Sequence, residues 1–214
     1  ETQKDMSWEE ALRSNDRQKA IDAPNKELTS LQSTILQELL PTDPDWDYGI
    51  KHAVPGRILL DIKRNGTVKA RGVKQGFREN KAEADGYEFN YYSSVVKLHV
   101  VRATMARRRP FVNRRIKLKD VSTAFLQSDS YGKGIYKYVS FKNPVTLKRQ
   151  YYRQTGPIYG EASAPVRWES TIAPWLEEQG FEPGLNERSI FYHPERDLCL
   201  LYTSDAADEW WGGG

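Results

Sequence analysis

Two strand-like runs facing each other across an Asn-Gly dipeptide constrain this chain most. Arg57-Ile58-Leu59-Leu60-Asp61-Ile62-Lys63 and Thr67-Val68-Lys69-Ala70-Arg71-Gly72-Val73 are separated only by Arg64-Asn65-Gly66. Asn and Gly tolerate the positive φ angles that a tight hairpin turn demands, and their placement between two apolar-rich runs is a strong short-range signal. The runs are expected to pair as an antiparallel ribbon that projects Lys63, Lys69, Arg71 and Lys74.

A second stretch reads as a strand that delivers a carboxylate. In Arg114-Arg115-Ile116-Lys117-Leu118-Lys119-Asp120, residues Ile116, Leu118 and Asp120 share one face and Lys117 and Lys119 the other. Small residues follow in Val121-Ser122-Thr123-Ala124, ahead of Phe125 and Leu126. From Lys97 to Lys119 there are nine Lys or Arg and no acid. Read on residues alone, this is either an exposed strand ending in a solvated acid or a ligand for a divalent metal with phosphates nearby.

Elsewhere the pattern alternates between helices and short strands. Residues 7–20 read as a helix that Ser7 caps, with Trp8, Ala11 and Leu12 on one face. A second helix is expected from near Pro24, in its first turn, to about Leu40, with Leu28, Leu31, Ile35 and Leu39 as its apolar stripe. Residues 41–56 read as a loop rich in Pro, Asp and Gly. Residues 95–109 read as a helix with Val96, Val100, Ala103 and either Met105 or Ala106 inward. Arg102, Arg107, Arg108 and Arg109 would lie on its outer face or last turn, where cations suit the helix dipole. Tyr131 to Gly134 is a turn, and Ile135 to Val139 alternates like a strand. Val166 to Gln179 carries Trp168, Ile172, Trp175 and Leu176 at helical spacing, with Gly180 as C-terminal cap. Pro174 should kink that helix or start a second one. Two more strands, Ser189 to Tyr192 and Asp197-Leu198, flank a His193 to Arg196 turn.

Composition bounds the class. The chain has 214 residues, sized for one domain or part of a larger one, and is 38% hydrophobic and 29% charged with a mean hydropathy of −0.73. Its core is thin for its length, as expected of a piece ordered by further protein or by nucleic acid. No apolar run approaches a membrane span, and no signal-peptide pattern opens the chain. The single cysteine, Cys199, excludes a disulfide framework and points to an intracellular setting. The first residue is Glu1 rather than methionine, as in a fragment or an excised polyprotein segment.

Several motifs share an order with a known family. Asp120-Val121-Ser122-Thr123-Ala124-Phe125-Leu126 resembles the Asp-Val-x-Thr-Ala-Phe-Leu motif of reverse transcriptases from copia-type retrotransposons. Lys69-Ala70-Arg71-Gly72-Val73-Lys74-Gln75-Gly76-Phe77 resembles their Lys-Ala-Arg-Leu-Val-Ala-Lys-Gly-Phe segment, and Ser94-Val95-Val96-Lys97-Leu98 their Pro-Val-Val-Lys-Leu. Tyr159-Gly160, Ala164-Pro165 and Trp168 resemble Tyr-Gly-x-x-Gln-Ala-Pro-x-x-Trp, and Trp8 with Ala11 resembles the opening Trp-x-x-Ala.

The resemblance implies an α+β fold: the fingers and partial palm of a right-hand polymerase, with an incomplete antiparallel palm sheet. Residues 1–56 would form N-terminal helices and a linker, and 57–198 the fingers and palm. The implied activity is RNA-directed DNA polymerisation on a template–primer, with deoxynucleoside triphosphates and two Mg²⁺ ions. Asp120 is the implied catalytic metal ligand, the Val121 carbonyl a second metal and nucleotide contact, and either Lys69 or Arg71 the triphosphate contact. Phe125 would sit beneath the sugar and select deoxynucleotides; its plain alternative is a core phenylalanine. RNase H and integrase portions of a Pol polyprotein are implied partners, with no membrane, in a cytoplasmic particle or the nucleus. The departures are Gly72 for Leu, Ser94 for Pro, Ala162 for Lys, Ser163 for Gln and Val166 for Arg.

The final stretch reads differently. Cys199 to Glu209 back-translates to a common transposase-based sequencing adapter, so residues 199–214 are expected to be non-native and the natural chain to run only to about Leu198. Three of the 29 acidic residues lie there and none of the 32 basic ones, so without it the formal charge rises from +3 to +6, which favours a polyanionic partner. The family's Tyr-Val-Asp-Asp would place two carboxylates after Tyr202, where Ser204 and Asp205 stand. The chain as written is therefore expected to be inactive. The alternatives are a decayed, non-catalytic element product that at most binds nucleic acid, and an unrelated basic binding domain.

Overall fold

A computed structural model describes residues 13, 17–62, 67–79, 93, 96–107, 121, 123–143, 146–185 and 187–202. They form an α+β domain. The elements in chain order are α1 (Arg17–Thr34), β1 (Leu36–Glu38), α2 (Trp46–His52), β2 (Val54–Ile62), β3 (Val68–Lys74) and a 3₁₀ turn (Gly76–Arg78). Then come α3 (Leu98–Arg107), a second 3₁₀ turn (Ala124–Gln127), β4 (Lys137–Lys142), β5 (Arg149–Gln154), α4 (Ala164–Glu178), β6 (Glu182–Pro183), β7 (Ile190–His193) and β8 (Leu198–Leu201). None of the described helices is long and apolar enough to cross a membrane.

The expected hairpin is present. β2 and β3 pair antiparallel from Gly56↔Lys74 to Ile62↔Val68, and the tip with Lys63 lies outside the described residues. Period-two alternation then sorts the cations. Lys69 is exposed and Arg71 half-buried on the outer face, whereas Lys74, an odd number of residues from both, turns inward and is buried. The expectation that Lys74 projects from the ribbon is corrected by that parity.

The larger sheet has the order β1-β5-β4-β2-β3. It is mixed rather than purely antiparallel: Val54 and Pro55 of β2 pair in parallel with Val139 and Ser140 of β4. A parallel pair needs a long crossover, and the chain between β3 and β4, which includes α3, provides it. β6, β7 and β8 form a separate antiparallel sheet. Leu31, Leu36, Val139, Phe141, Tyr152 and Ile158 centre the main core, each at most 2% exposed.

The helices depart from expectation where proline was read as a boundary. α1 continues through Pro24, because Ala20, Pro24, Leu28 and Leu31 form one buried stripe and their burial offsets the lost hydrogen bond. It ends at Thr34 rather than Leu40, since Leu36–Glu38 leave to pair with β5. The stretch read as a loop over 41–56 holds α2 and the start of β2. α4 likewise runs unbroken through Pro174. It buries Trp168 and Leu176 but leaves Trp175 half exposed, so Trp175 leaves the expected stripe. Its end is a Schellman motif: Phe181 N–H donates to Leu176 O, Gly180 N–H to Glu177 O, and Gly180 has φ +86°. α3 is shorter than expected. Its half-buried residues are Val100, Val101 and Thr104, while Ala103, Met105 and Ala106 are exposed. Arg108 and Arg109 lie outside the described residues, as do most of the expected first helix and the strand over 114–120.

β3 is an edge strand, and α1 covers it. The Glu27 carboxylate accepts from Gly72 N–H at 3.0 Å, which satisfies an edge donor. A Cβ at Gly72 would stand 2.7 Å from Leu31 Cδ1, so a side chain there competes with the helix. Gly72→Leu, which restores the residue the family segment carries, should destabilise the domain by roughly 1–3 kcal/mol through overpacking. Urea denaturation would check this, and a Gly72→Leu midpoint at or above the parent value would contradict it.

Candidate active site

The site is built where three separate sequence segments meet. β3 runs out against the loop that precedes α4. Lys74 N–H donates to Tyr159 O at 2.7 Å and Gly76 N–H to Gly160 O at 3.1 Å. The two backbones lie so close that neither glycine has room for a side chain. A Cβ on Gly76 would stand 2.3 Å from Gly160 O, and one on Gly160, at φ +81°, would stand 2.2 Å from Lys74 O. The glycines of the Gly76-Phe77 and Tyr159-Gly160 segments are thus two halves of one crossing.

Beneath the crossing lies a buried charge network. Lys74 Nζ donates to Glu79 Oε1 at 2.6 Å and Gln154 Oε1 at 3.0 Å, and lies 3.8 Å from Glu161 Oε2. The side chains of Lys74 and Glu161 are fully buried. Four donors reach the Glu161 carboxylate: Lys137 Nζ at 2.8 Å, Ser163 Oγ at 2.7 Å, Tyr131 OH at 2.6 Å and Gln154 Nε2 at 2.6 Å. Burial alone would push this carboxyl up. The charges of Lys74 and Lys137 and the bonds from Lys137 and Tyr131 outweigh burial and hold it at about 2. A buried ionised group is tolerable only when paired and hydrogen-bonded, and this one is both.

Sequence reading missed the network. One signal was available: Lys74 stands where the family segment has Ala, and hairpin parity sends it inward. A second clasp joins the loop before α2 to β5. Asp45 pairs with Arg153 and accepts from Tyr138 OH at 2.7 Å. The Arg153 guanidinium holds the Asp45 carboxyl well below the usual range. Burial, with Asp45 beside it, pushes the Tyr138 hydroxyl up to about 12.

The third segment enters through the second 3₁₀ turn. Thr123 adopts a left-handed conformation, φ 54°, and Ala124–Gln127 coil behind it. Phe125, 7% exposed, meets the Tyr159 ring at 5.4 Å between centroids. Ala124, Phe125, Ala164, Trp168 and Tyr202 form a second buried cluster, with Leu200 packed at its margin. Tyr202 N–H donates to Ser189 O at 2.7 Å. Two residues expected to be adapter-encoded, Leu200 and Tyr202, therefore contribute to this cluster.

Of the residues singled out by sequence, Phe125 lies in this cluster and Val121 is exposed just ahead of it. Lys69 and Arg71 lie on the outer face of the hairpin. Asp120 lies outside the described residues, and among the described ones no group of three or more His, Cys, Asp or Glu could hold a metal ion.

A family described as reverse transcriptase (RNA-dependent DNA polymerase) matches residues 51–206. The chain belongs to that family. Comparisons with curated proteins and with solved structures gave no match. The matched span of this reverse-transcriptase domain contains both strands of the hairpin, the Gly76–Gly160 crossing, the charge network and the Phe125 cluster.

Removing one partner from a buried ion pair strands the other. Lys74→Met should cost roughly 3–5 kcal/mol in urea denaturation; a loss under about 1 kcal/mol would show the network to be dispensable. Because the Glu161 carboxyl is depressed on folding, its contribution is fully present above about pH 4.5 and is lost as pH falls through about 2. In Glu161→Gln that dependence should flatten, measured as the urea midpoint against pH.

Proposed function

We propose that this chain is the fingers and front palm of a copia-type retrotransposon reverse transcriptase. The observation that carries the reading is the convergence of segments far apart in sequence. The hairpin end, the Tyr159-Gly160 loop and the Ala124-Phe125 turn meet through a backbone crossing and a shared aromatic cluster. A polymerase must hold its nucleotide-facing hairpin in fixed relation to the strand that bears its first carboxylate. A junction between the hairpin end and the turn that follows Asp120 in sequence serves that need.

In this reading Asp120 is the catalytic metal ligand and the Val121 carbonyl a second contact to metal and nucleotide. Two Mg²⁺ ions about 4 Å apart would stabilise the attacking and leaving oxygens of the phosphoryl transfer. Lys69 or Arg71, both on the outer face of the ribbon, would meet the triphosphate of the incoming deoxynucleotide. Phe125 would sit beneath its sugar, its ring held in place by Tyr159. The template–primer would follow the basic side from Lys97 to Lys119. Further partners are the RNase H and integrase portions of a Pol polyprotein, in a cytoplasmic particle or the nucleus.

The stretch from Cys199 is proposed to be adapter-encoded. Its Leu200, Leu201 and Tyr202 fill positions where the family has an apolar strand and the Tyr of Tyr-Val-Asp-Asp. Ser204 then stands in the first carboxylate position, which makes the chain as written inactive. A decayed product that only binds nucleic acid is the second reading, favoured by Ala162 and Ser163, which stand where the family motif has Lys and Gln.

The test begins with the source locus. Sequencing through codon 198 from flanking primers should reveal an apolar strand followed by Tyr-x-Asp-Asp. The polymerase expressed from that locus should extend a primer on RNA in a Mg²⁺-dependent way, and Asp120→Asn should reduce the rate by about a thousandfold or more. A genomic Cys199 to Gly214, or an Asp120→Asn enzyme with full activity, would overturn the reading.

A further inference from the structure

The 3₁₀ turn after β3 holds an aromatic ring in solvent. Phe77 is 82% exposed, whereas Phe125, Phe141 and Tyr152 are buried. The turn that carries it is fixed from both sides. Gln75 N–H donates to Pro55 O at 2.9 Å and Gly76 N–H to Gly160 O, where no side chain fits. Beyond the ring, Glu79 is tied to the buried Lys74 at 2.6 Å and to Lys137 at 3.4 Å. The chain around Phe77 is therefore pre-organised, and Glu79, the acidic group that follows the turn among the described residues, is already paired.

The neighbours of the ring define what it can receive. The Arg78 guanidinium carbon lies 5.6 Å from the ring centroid, so a planar cation and an aromatic face are presented together. Its described sequence neighbours Gln75, Gly76, Arg78 and Glu79 carry no apolar side chain, and the exposed Leu59 on the hairpin's outer face stands among Arg57, Lys69 and Arg71, whereas a protein interface needs a contiguous apolar centre. A base within a duplex already has both faces stacked; an unpaired base does not. Arg57 and Lys69 stand exposed, and Arg71 half-buried, on the outer face of the hairpin that leads into the turn, where they can follow a phosphate backbone.

We infer that Phe77, supported by Arg78, is a stacking platform for an unpaired base of a single-stranded nucleic acid. This site rests on the proposed nucleic-acid function and deepens it, because it names the strand type and the group that is gripped. Aromatic stacking of this kind is tolerant of sequence and worth about tenfold or more in affinity per base.

Binding of the full chain to a short single-stranded oligouridylate and to its abasic counterpart, followed by fluorescence anisotropy, tests it. Phe77→Ala should weaken binding to the base-bearing strand about tenfold and leave the abasic strand unchanged, while Phe77→Trp should retain or tighten it. A 2-aminopurine placed in the strand should be quenched by the parent chain and by Phe77→Trp, and not by Phe77→Ala. An exposed ring is not needed for folding, so the variants should keep the parent thermal midpoint. Equal binding of both strands by parent and Phe77→Ala would overturn the platform while leaving polyanion binding intact. Loss of self-association in Phe77→Ala, with oligonucleotide affinity unchanged, would also overturn it and make the ring a protein contact. No binding to either strand would overturn the platform and the proposed nucleic-acid function together.

Discussion

Two backbones laid directly against each other, at Gly76 and Gly160, set the terms for the rest of this domain. Their approach leaves no room for a Cβ on either side. It also draws the end of β3 into the interior, where the inward parity of Lys74 would be ruinous without a partner. Glu161, one residue beyond Gly160, supplies the opposite charge. Gln154 and Tyr131 then donate to Glu161 Oε2, the carboxylate oxygen that neither lysine hydrogen-bonds. A strand end, a loop and the middle of the sheet are thereby joined through polar contacts that permit few alternative arrangements.

Much of this was legible in local pattern, and the misses share a cause. The hairpin was legible because its turn chemistry and its alternation point the same way. The C-terminal cap at Gly180 was legible for a similar reason, since a positive φ is needed there. Proline misled twice. Pro24 reads as the start of a helix and Pro174 as a kink or the start of a second one, yet α1 and α4 each continue through the proline as one helix because packing outweighs a missing hydrogen bond. The charge network was not legible from periodicity, because its members come from five separated segments. Only the parity of Lys74 hinted at it. Trp175 and Met105 show the converse limit: helical spacing locates a face, not the neighbour that must cover it.

The family identity gives the junction its meaning. The segments that meet at the crossing and in the Phe125 cluster lie within the span matched to reverse transcriptases. Between the Ala124-Phe125 turn and the Tyr159-Gly160 loop lie β4 and β5, whose Val139, Phe141 and Tyr152 belong to the main core. The local departure at Gly72 fits the same logic: the absent side chain lets α1 settle on the hairpin edge, and Glu27 caps it.

The crossing at Gly76 and Gly160 should be as firm as the core itself. Native-state hydrogen exchange at the Lys74 and Gly76 amides tests it most directly. These amides should exchange only with global unfolding, at rates comparable to those of the central β4 and β5 amides of Val139 and Tyr152. Exchange as fast as in an exposed loop, under conditions where Val139 and Tyr152 stay protected, would show that the hairpin end and the Tyr159-Gly160 loop are not held as one unit.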